Sequence, residues 1–199
     1  MAAEAEARQA TARNGTRVVL LGPPGAGKGT QAQILAARLG VPAISTGDML
    51  RAAVAEASDL GRRVAGTMAS GELVDDATMA EVVRTRLNRE DAETGFLLDG
   101  YPRTLPQAET LAGILGESSR HLNMVVLVDV EHDELVRRAT ARGREDDKEE
   151  VVRERLRVYR EKTEPVIGYY RRRGLLRLVD GSRPIAEVTA QLLELVGGA

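Results

Sequence analysis

Lys28 stands in a cluster of small residues, Gly22-Pro23-Pro24-Gly25-Ala26-Gly27-Lys28-Gly29-Thr30, with four glycines in the eight residues 22–29. Glycines let successive backbone N–H groups turn inward around an anion, a helix N-terminus adds partial positive charge, and a lysine ammonium supplies a full one. The pattern G-x-x-x-x-G-K, set between an apolar run and a helical stretch, therefore reads as a phosphate cradle. A glycine-rich turn ahead of a helix is the plainer alternative. The residue after the lysine is Gly29, where the common pattern carries a Ser or Thr for Mg2+; Thr30 follows one place late. Asp99 ends the apolar run Gly95–Asp99, at the carboxyl edge where an α/β sheet takes ligands. A carboxylate there is the expected second partner of Mg2+ in phosphoryl transfer. A cap or turn role before Gly100 is the competing reading.

The bases are unevenly chosen: 25 arginines against three lysines. Arginine is the planar, bidentate binder of phosphate. In the helical stretch Lys148–Tyr159 the apolar stripe is Val152, Leu156 and Tyr159, and Arg155 lies on it rather than on the solvated faces of Arg153, Arg157 and Arg160. Arg138 and Arg142, spaced i,i+4, share the face of Leu135. Arginines can also line a core edge or pair with acids, yet three on apolar stripes, with Arg144 beside the turn, fit a cleft for several negative charges. Asp146 and Asp147 would anchor and orient them. Gly143, between Arg142 and Arg144, is free to supply a left-handed turn that aims both side chains inward.

These residues need elements to hold them. Arg17–Gly22, Ala43–Ser45, Gly95–Asp99, Asn123–Val130 and Leu175–Asp180 read as strands, and the runs VVLL, FLL and MVVLV are continuous rather than alternating, as in strands covered on both faces. Between them lie helical segments at Gly27–Leu39, Gly47–Ala57, Asp59–Met68, Asp76–Asn88, Leu105–Leu115, His132–Arg142, Lys148–Tyr159 and Pro184–Leu195. The alternation implies an α/β fold, a parallel sheet flanked by helices. Only helices fall between Ser45 and Gly95, so Gly47–Val74 reads as a small helical insertion above the sheet. Residues 1–16 read as a flexible extension lacking the apolar core of a secretory signal.

Composition limits the function. A formal charge of −2 with five aromatic residues opposes a nucleic-acid coat. No cysteine is present, so thiolate metal sites are excluded. His121 and His132 are too far apart for a local metal motif and read as surface or capping residues. Apolar runs of four to five residues span no membrane, and the protein reads as cytoplasmic. Arg171-Arg172-Arg173 reads as a solvated helix end.

Five motifs in order, GPPGAGKGT (Gly22–Thr30), ISTGDMLR (Ile44–Arg51), GELVDD (Gly71–Asp76), GFLLDGYPRT (Gly95–Thr104) with Gln107, and DDKEEVVRERL (Asp146–Leu156), resemble those of the adenylate kinases, over about Arg17 to Val196. The resemblance implies a P-loop kinase fold: a five-stranded parallel sheet flanked by helices, in a domain spanning 17–199, with an AMP-binding insertion at 45–74 and a short lid at 138–148. It implies reversible phosphoryl transfer from MgATP to AMP giving two ADP, by a monomer with Mg2+ arriving with ATP and no structural zinc. It places Gly25, Ala26, Gly27, Lys28, Gly29 and Thr30 around the ATP phosphates. Arg138 and Arg142 would face ATP, with Arg183 where the backbone meets its adenine. AMP would meet Thr46, Arg51, Glu72, Leu73, Val74, Gly100, Tyr101, Pro102 and Arg103, with Gln107 on the adenine edge and Arg144 and Arg155 on the phosphates. Lys28, Arg103, Arg138, Arg142, Arg144 and Arg155 become the catalytic cations, and Asp99 meets Mg2+ through water. The chain departs from the long form of the family at the lid, where only Gly143 separates Arg142 from Arg144.

Two rival readings stand beside this one. A UMP or CMP kinase of the same fold would resemble S-A-G-[DE] and F-P-R-N, against STGD and YPRT here. A GTP-dependent switch would need a D-x-x-G turn and N-K-x-D, whereas the nearest match, Asn88-Arg89-Glu90-Asp91, lacks the lysine.

Overall fold

The computed structural model describes residues 15–144 and 147–197; residues 1–14 of the expected extension, and Asp146 with its expected anchoring role, lie outside the described residues. The chain runs β1 (Arg17–Leu21), α1 (Lys28–Leu39), β2 (Ala43–Ser45), α2 (Thr46–Ala55), α3 (Asp59–Ser70), α4 (Asp76–Leu87) and β3 (Phe96–Asp99). It continues through α5 (Leu105–Gly116), β4 (Met124–Asp129), α6 (His132–Ala141), α7 (Glu149–Val158), α8 (Glu164–Arg172), β5 (Leu176–Asp180) and α9 (Ile185–Gly197). All five strands pair in parallel in the order β2-β3-β1-β4-β5.

The continuous apolar runs have a direct structural cause. Alternate residues of one strand enter different cores: Val19, Leu21, Phe96, Leu98, Val125 and Leu127 pack on one face. Val18, Leu20, Leu97, Met124 and Val126 pack on the other, against α1 and α9. A strand covered on both sides has no solvent face to make polar. A third cluster joins Ala26 of the glycine-rich loop to Leu135 and Ala139 of α6 and Val152 and Leu156 of α7. It seats the arginine-bearing helices beside that loop.

Helix starts follow local chemistry. Ser45, Ser58, Asp75 and Thr104 each accept a hydrogen bond from a backbone N–H in the first turn of α2, α3, α4 and α5, satisfying donors that have no partner inside the helix.

Helix α8 supplies the body of the helix whose end the basic run at 171–173 is expected to form; the sequence pattern does not delimit it. A π turn at Tyr159–Thr163 carries the chain from α7 into α8, and Pro165 falls in the first turn of α8, where its missing N–H costs nothing. Val166, Tyr169 and Tyr170 of this helix are buried in the first core. The basic run at 171–173 is exposed at its end, with the Arg173 guanidinium 3.5 Å above the Tyr169 ring.

Helices α2 and α3 lie close together. A Cβ at Gly61 would sit 1.9 Å from the Ala53 carbonyl oxygen and 2.7 Å from the Val54 nitrogen, both backbone atoms. Alanine is the better helix former by about 1 kcal/mol, yet Gly61→Ala should destabilise the protein by about 1–3 kcal/mol through overpacking. Chemical denaturation measures the sign, and a more stable variant would refute the close packing of these helices.

Candidate active site

A cleft of about 960 Å³ opens at the carboxyl ends of the central strands. Its floor is the loop between β1 and α1. Gly27 caps α1 with φ +87°, and Gly25, at φ +89°, faces the Leu135 carbonyl so closely that any Cβ would lie 2.5 Å from its oxygen. Only glycine admits both the conformation and the approach. Lys28 reaches back across this loop and donates from Nζ to the Pro23 carbonyl at 2.9 Å. Burial lowers its pKa from 10.5 to about 8; Asp99 opposes the shift, while Arg103 and Arg142 add to it.

Asp99 is the last residue of β3, in register with Leu20 of β1 and Ser45 of β2. Its Oδ2 lies 3.7 Å from where a Cβ on Gly29 would sit, so the glycine after Lys28 leaves open space beside this carboxylate. Among the described residues no three His, Cys, Asp or Glu side chains gather where they could hold a metal ion. A lone carboxylate beside a phosphate cradle suits an ion such as Mg2+ that keeps most of its ligands as water and substrate phosphate oxygens.

The arginines come from separate elements and are held by acids and carbonyls. Arg142 donates from Nε and Nη2 to Asp147 at 2.8 and 2.6 Å. The Arg144 backbone N–H donates to the same carboxylate at 3.1 Å, and Arg155 Nη1 lies 3.6 Å from it. Burial pushes the Asp147 carboxyl up, but Arg142 and Arg144 outweigh it and hold the carboxyl below the usual range. Arg138 donates to Glu134 at 2.6 Å and to the Gly181 carbonyl at 2.7 Å, which ties α6 to the turn bearing Arg183. Arg103 donates from Nε to the Gly100 carbonyl at 2.8 Å; burial lowers its pKa, Asp99 opposes, and Arg155 and Arg51 add to the lowering. Gly143 has φ +73° with no atom within 4 Å of its Cβ position, the left-handed turn expected between the two arginines.

A smaller cavity adjoins the cleft, sharing Gly47, Arg51, Gly71, Leu73, Gly100, Arg103 and Arg155 with it. Thr46, Glu72, Val74 and Gln107 line this second space, whereas Tyr101 and Pro102 line the first. The Thr46 hydroxyl donates to the Asp99 carbonyl at 3.3 Å. The Glu72 carboxylate instead pairs with Lys162 at 3.3 Å and Arg157 at 3.6 Å. Arg183 pairs with Asp180 and Glu187 at 3.3 and 3.6 Å. Every residue expected to meet a nucleotide or Mg2+ thus lines one of the two connected cavities, while Asp147 and Gly143 support the arginines from outside them.

The sequence assigns no role in the site to Asp48 or Asp76, and places Tyr159 only on the apolar stripe of its helix. Asp48 pairs with Arg51 at 2.5 Å and with Arg144, 96 residues away, at 3.3 Å. The i,i+3 spacing to Arg51 was the available signal. Tyr159 lines the cleft, and Asp76 bonds to Gln107 and Thr104.

A family model described as "Adenylate kinase" matches residues 20–175. The protein named adenylate kinase from Thermobifida fusca (strain YX) is 49% identical over 181 residues, covering 89% of this chain and 96% of its own. The one from Nocardia farcinica (strain IFM 10152) is 49% identical over 181 residues, covering 91% and 99%. The one from Syntrophotalea carbinolica is 42% identical over 212 residues, covering 91% and 98%.

Two expectations follow from this geometry. Because the lysine loses its proton near pH 8 in the free site, an anion that needs the ammonium must recapture that proton. KM for ATP should therefore be flat below about pH 8 and climb above it, by up to about tenfold per pH unit. In Lys28→Met the climb should vanish. The buried ammonium destabilises the ligand-free fold fully below about pH 8 and progressively less toward pH 10.5, so this variant should also melt higher at pH 7. The second concerns Gly143→Val, which places a β-branched residue at positive φ at a cost of about 1–2 kcal/mol. AMP binding should persist while phosphoryl transfer falls strongly, and wild-type turnover would show that this turn does not matter.

Proposed function

The chain belongs to the adenylate kinase family, and on that premise we propose how its cleft carries out the family's reaction. The protein is an enzyme, a nucleotide-binding transferase that moves a phosphoryl group reversibly between MgATP and AMP, giving two ADP. The observation that carries the assignment of its parts is the gathering of Lys28, Arg103, Arg138, Arg142, Arg144 and Arg155 round one cleft. So many cations with so few acids among them suit a ligand bearing several negative charges.

In this reading the ATP phosphates lie on Gly25–Thr30 with the Lys28 ammonium against them, and Mg2+ enters with ATP, facing Asp99 through water. Arg138 and Arg183 flank the ATP adenine end. AMP occupies the adjoining cavity between Thr46, Arg51, the 72–74 segment, Gly100–Arg103 and Gln107, with its phosphate toward Arg103, Arg144 and Arg155. An oxygen of the AMP phosphate forms a bond to the γ-phosphorus as the bond to the β,γ-bridging oxygen breaks. The departing ADP keeps that electron pair. The attacking oxygen is already anionic, so no side-chain base is required. Catalysis consists of alignment and of neutralising the equatorial oxygens.

We further propose that 45–74 and 138–148 close over the two nucleotides as separate bodies, α6 and α7 shifting together. The enzyme would act as a monomer, and in the cytoplasm, where its nucleotide substrates are.

A coupled assay offering AMP, UMP, CMP and GMP with MgATP tests the acceptor; strong preference for AMP is expected, and equal use of AMP and UMP would overturn the reading. Arg155→Lys keeps charge but loses the planar fork. Turnover should fall about a hundredfold with little change in melting temperature. A small, parallel loss of both would mark the residue as structural.

A further inference from the structure

Gln107 is nearly completely buried (2% exposed), and its carboxamide is held at both ends. Oε1 accepts from the Arg103 backbone N–H at 2.7 Å. Nε2 donates to Asp76 Oδ1 at 2.8 Å. A backbone N–H can only donate and an ionised carboxylate can only accept, so both neighbours demand the same orientation of the amide. Turned over, it would set NH2 against N–H and C=O against carboxylate, exchanging two hydrogen bonds for two repulsive contacts. Asp76 is itself fixed: it is the first residue of α4, and the same Oδ1 accepts from the Thr104 hydroxyl at 3.1 Å. Thr104 is the residue that caps α5 and accepts from the Gln107 N–H at 3.2 Å.

An amide carries two N–H donors and two lone pairs on oxygen. With one of each spent on Asp76 and Arg103, one N–H and one lone pair remain for a ligand in the adjoining cavity, which Gln107 lines. That remaining pair matches an edge presenting an acceptor beside a donor, as N1 and the 6-amino group of adenine do. A 6-oxopurine presents the reverse, N1–H beside O6, and would need the amide turned over.

We propose that Asp76 is a specificity-determining positioning residue: by pinning the Gln107 carboxamide it makes the acceptor site select 6-aminopurine over 6-oxopurine monophosphates. The proposal rests on the reading that Gln107 meets the acceptor base. Asparagine at position 76 can offer either an oxygen or an NH2, so Asp76→Asn leaves only the Arg103 N–H to oppose the turned amide.

The test compares kcat/KM for inosine 5′-monophosphate, which differs from AMP only in its 6-oxo group and the N1 proton that accompanies it, with that for AMP, in four proteins: wild type, Asp76→Asn, Gln107→Ala and the double variant. The inosine-to-adenosine ratio should rise about tenfold in Asp76→Asn, as expected for removing one of two hydrogen-bond mismatches. It should rise in Gln107→Ala as well, and Asp76→Asn should add nothing to it there. A purely structural role for Asp76 would lower both activities and leave their ratio unmoved. Asp76→Ser, whose hydroxyl is equally indifferent to the amide's orientation, replaces Asp76→Asn if that variant does not fold. A ratio unchanged in the Asp76 variants but raised in Gln107→Ala overturns the proposal while the base-reading role stands. A ratio unchanged in Gln107→Ala overturns both, with the failure located at Gln107.

Discussion

Mutual repulsion among cations is the constraint round which this molecule is built. Lys28, Arg103, Arg142, Arg144 and Arg155 face one cleft from four separate stretches of chain. Burial and neighbouring guanidinium groups hold several of them below their ordinary pKa. The protein restrains this crowd with a few shared acids. Asp147, with its side chain 1% exposed, serves Arg142, Arg155 and the Arg144 backbone together. Asp48 serves Arg51 and Arg144. An acid shared among several arginines positions them without cancelling their charge, so the field at the centre of the cleft stays positive for a polyanion.

Such an arrangement needs stiff supports, and the fold supplies them next to the loop. Ala26 packs into the cluster that also buries Leu135 and Val152, coupling the phosphate loop to the two helices that carry the arginines. On the opposite side, Gln31 follows the loop by one residue and is buried. It donates to the Ile185 carbonyl at 3.1 Å and accepts from the Thr189 hydroxyl at 2.8 Å. This polar tie joins α1 to the start of α9, just after Arg183. Buried amides of this kind are specific because each donor and acceptor has a defined partner. The Gln107 carboxamide, set between Asp76 and the Arg103 N–H, follows the same rule in the second cavity.

The short connection between Arg142 and Arg144 alters how the site is covered. A long lid inserted between the two arginines would exclude water by its bulk. Here a single glycine at φ +73° turns the chain between two guanidiniums, and the π turn at Tyr159–Thr163 lets α7 and α8 follow one another as a nearly continuous support. The closure proposed above would then involve whole helices rather than a loop, and would engage the cations assigned to the phosphates.

Much of this was legible in the residues themselves. The runs VVLL, FLL and MVVLV specified strands covered on both faces, because alternate side chains enter different cores. The phosphate loop is contiguous, so its glycines and Lys28 could be read directly, and the helical repeat placed Arg155 on the buried stripe of Val152 and Leu156. Those features depend on interactions within about one turn of helix or one strand. The partners did not have that advantage. With 25 arginines and 30 acids, no local pattern shows that Arg144 meets Asp48 rather than another carboxylate, or that Asp76 meets the amide of Gln107, 31 residues on. Of helix α8 only the basic end at 171–173 is legible locally, because Pro165 interrupts the pattern while burial against the sheet, a long-range contact, sustains the helix. Residue types and short-range periodicity decided which groups could do chemistry; only the packing of distant elements decided which way those groups point and what holds them there, since the pairing of charges and amides is set by proximity in space, which sequence separation does not encode.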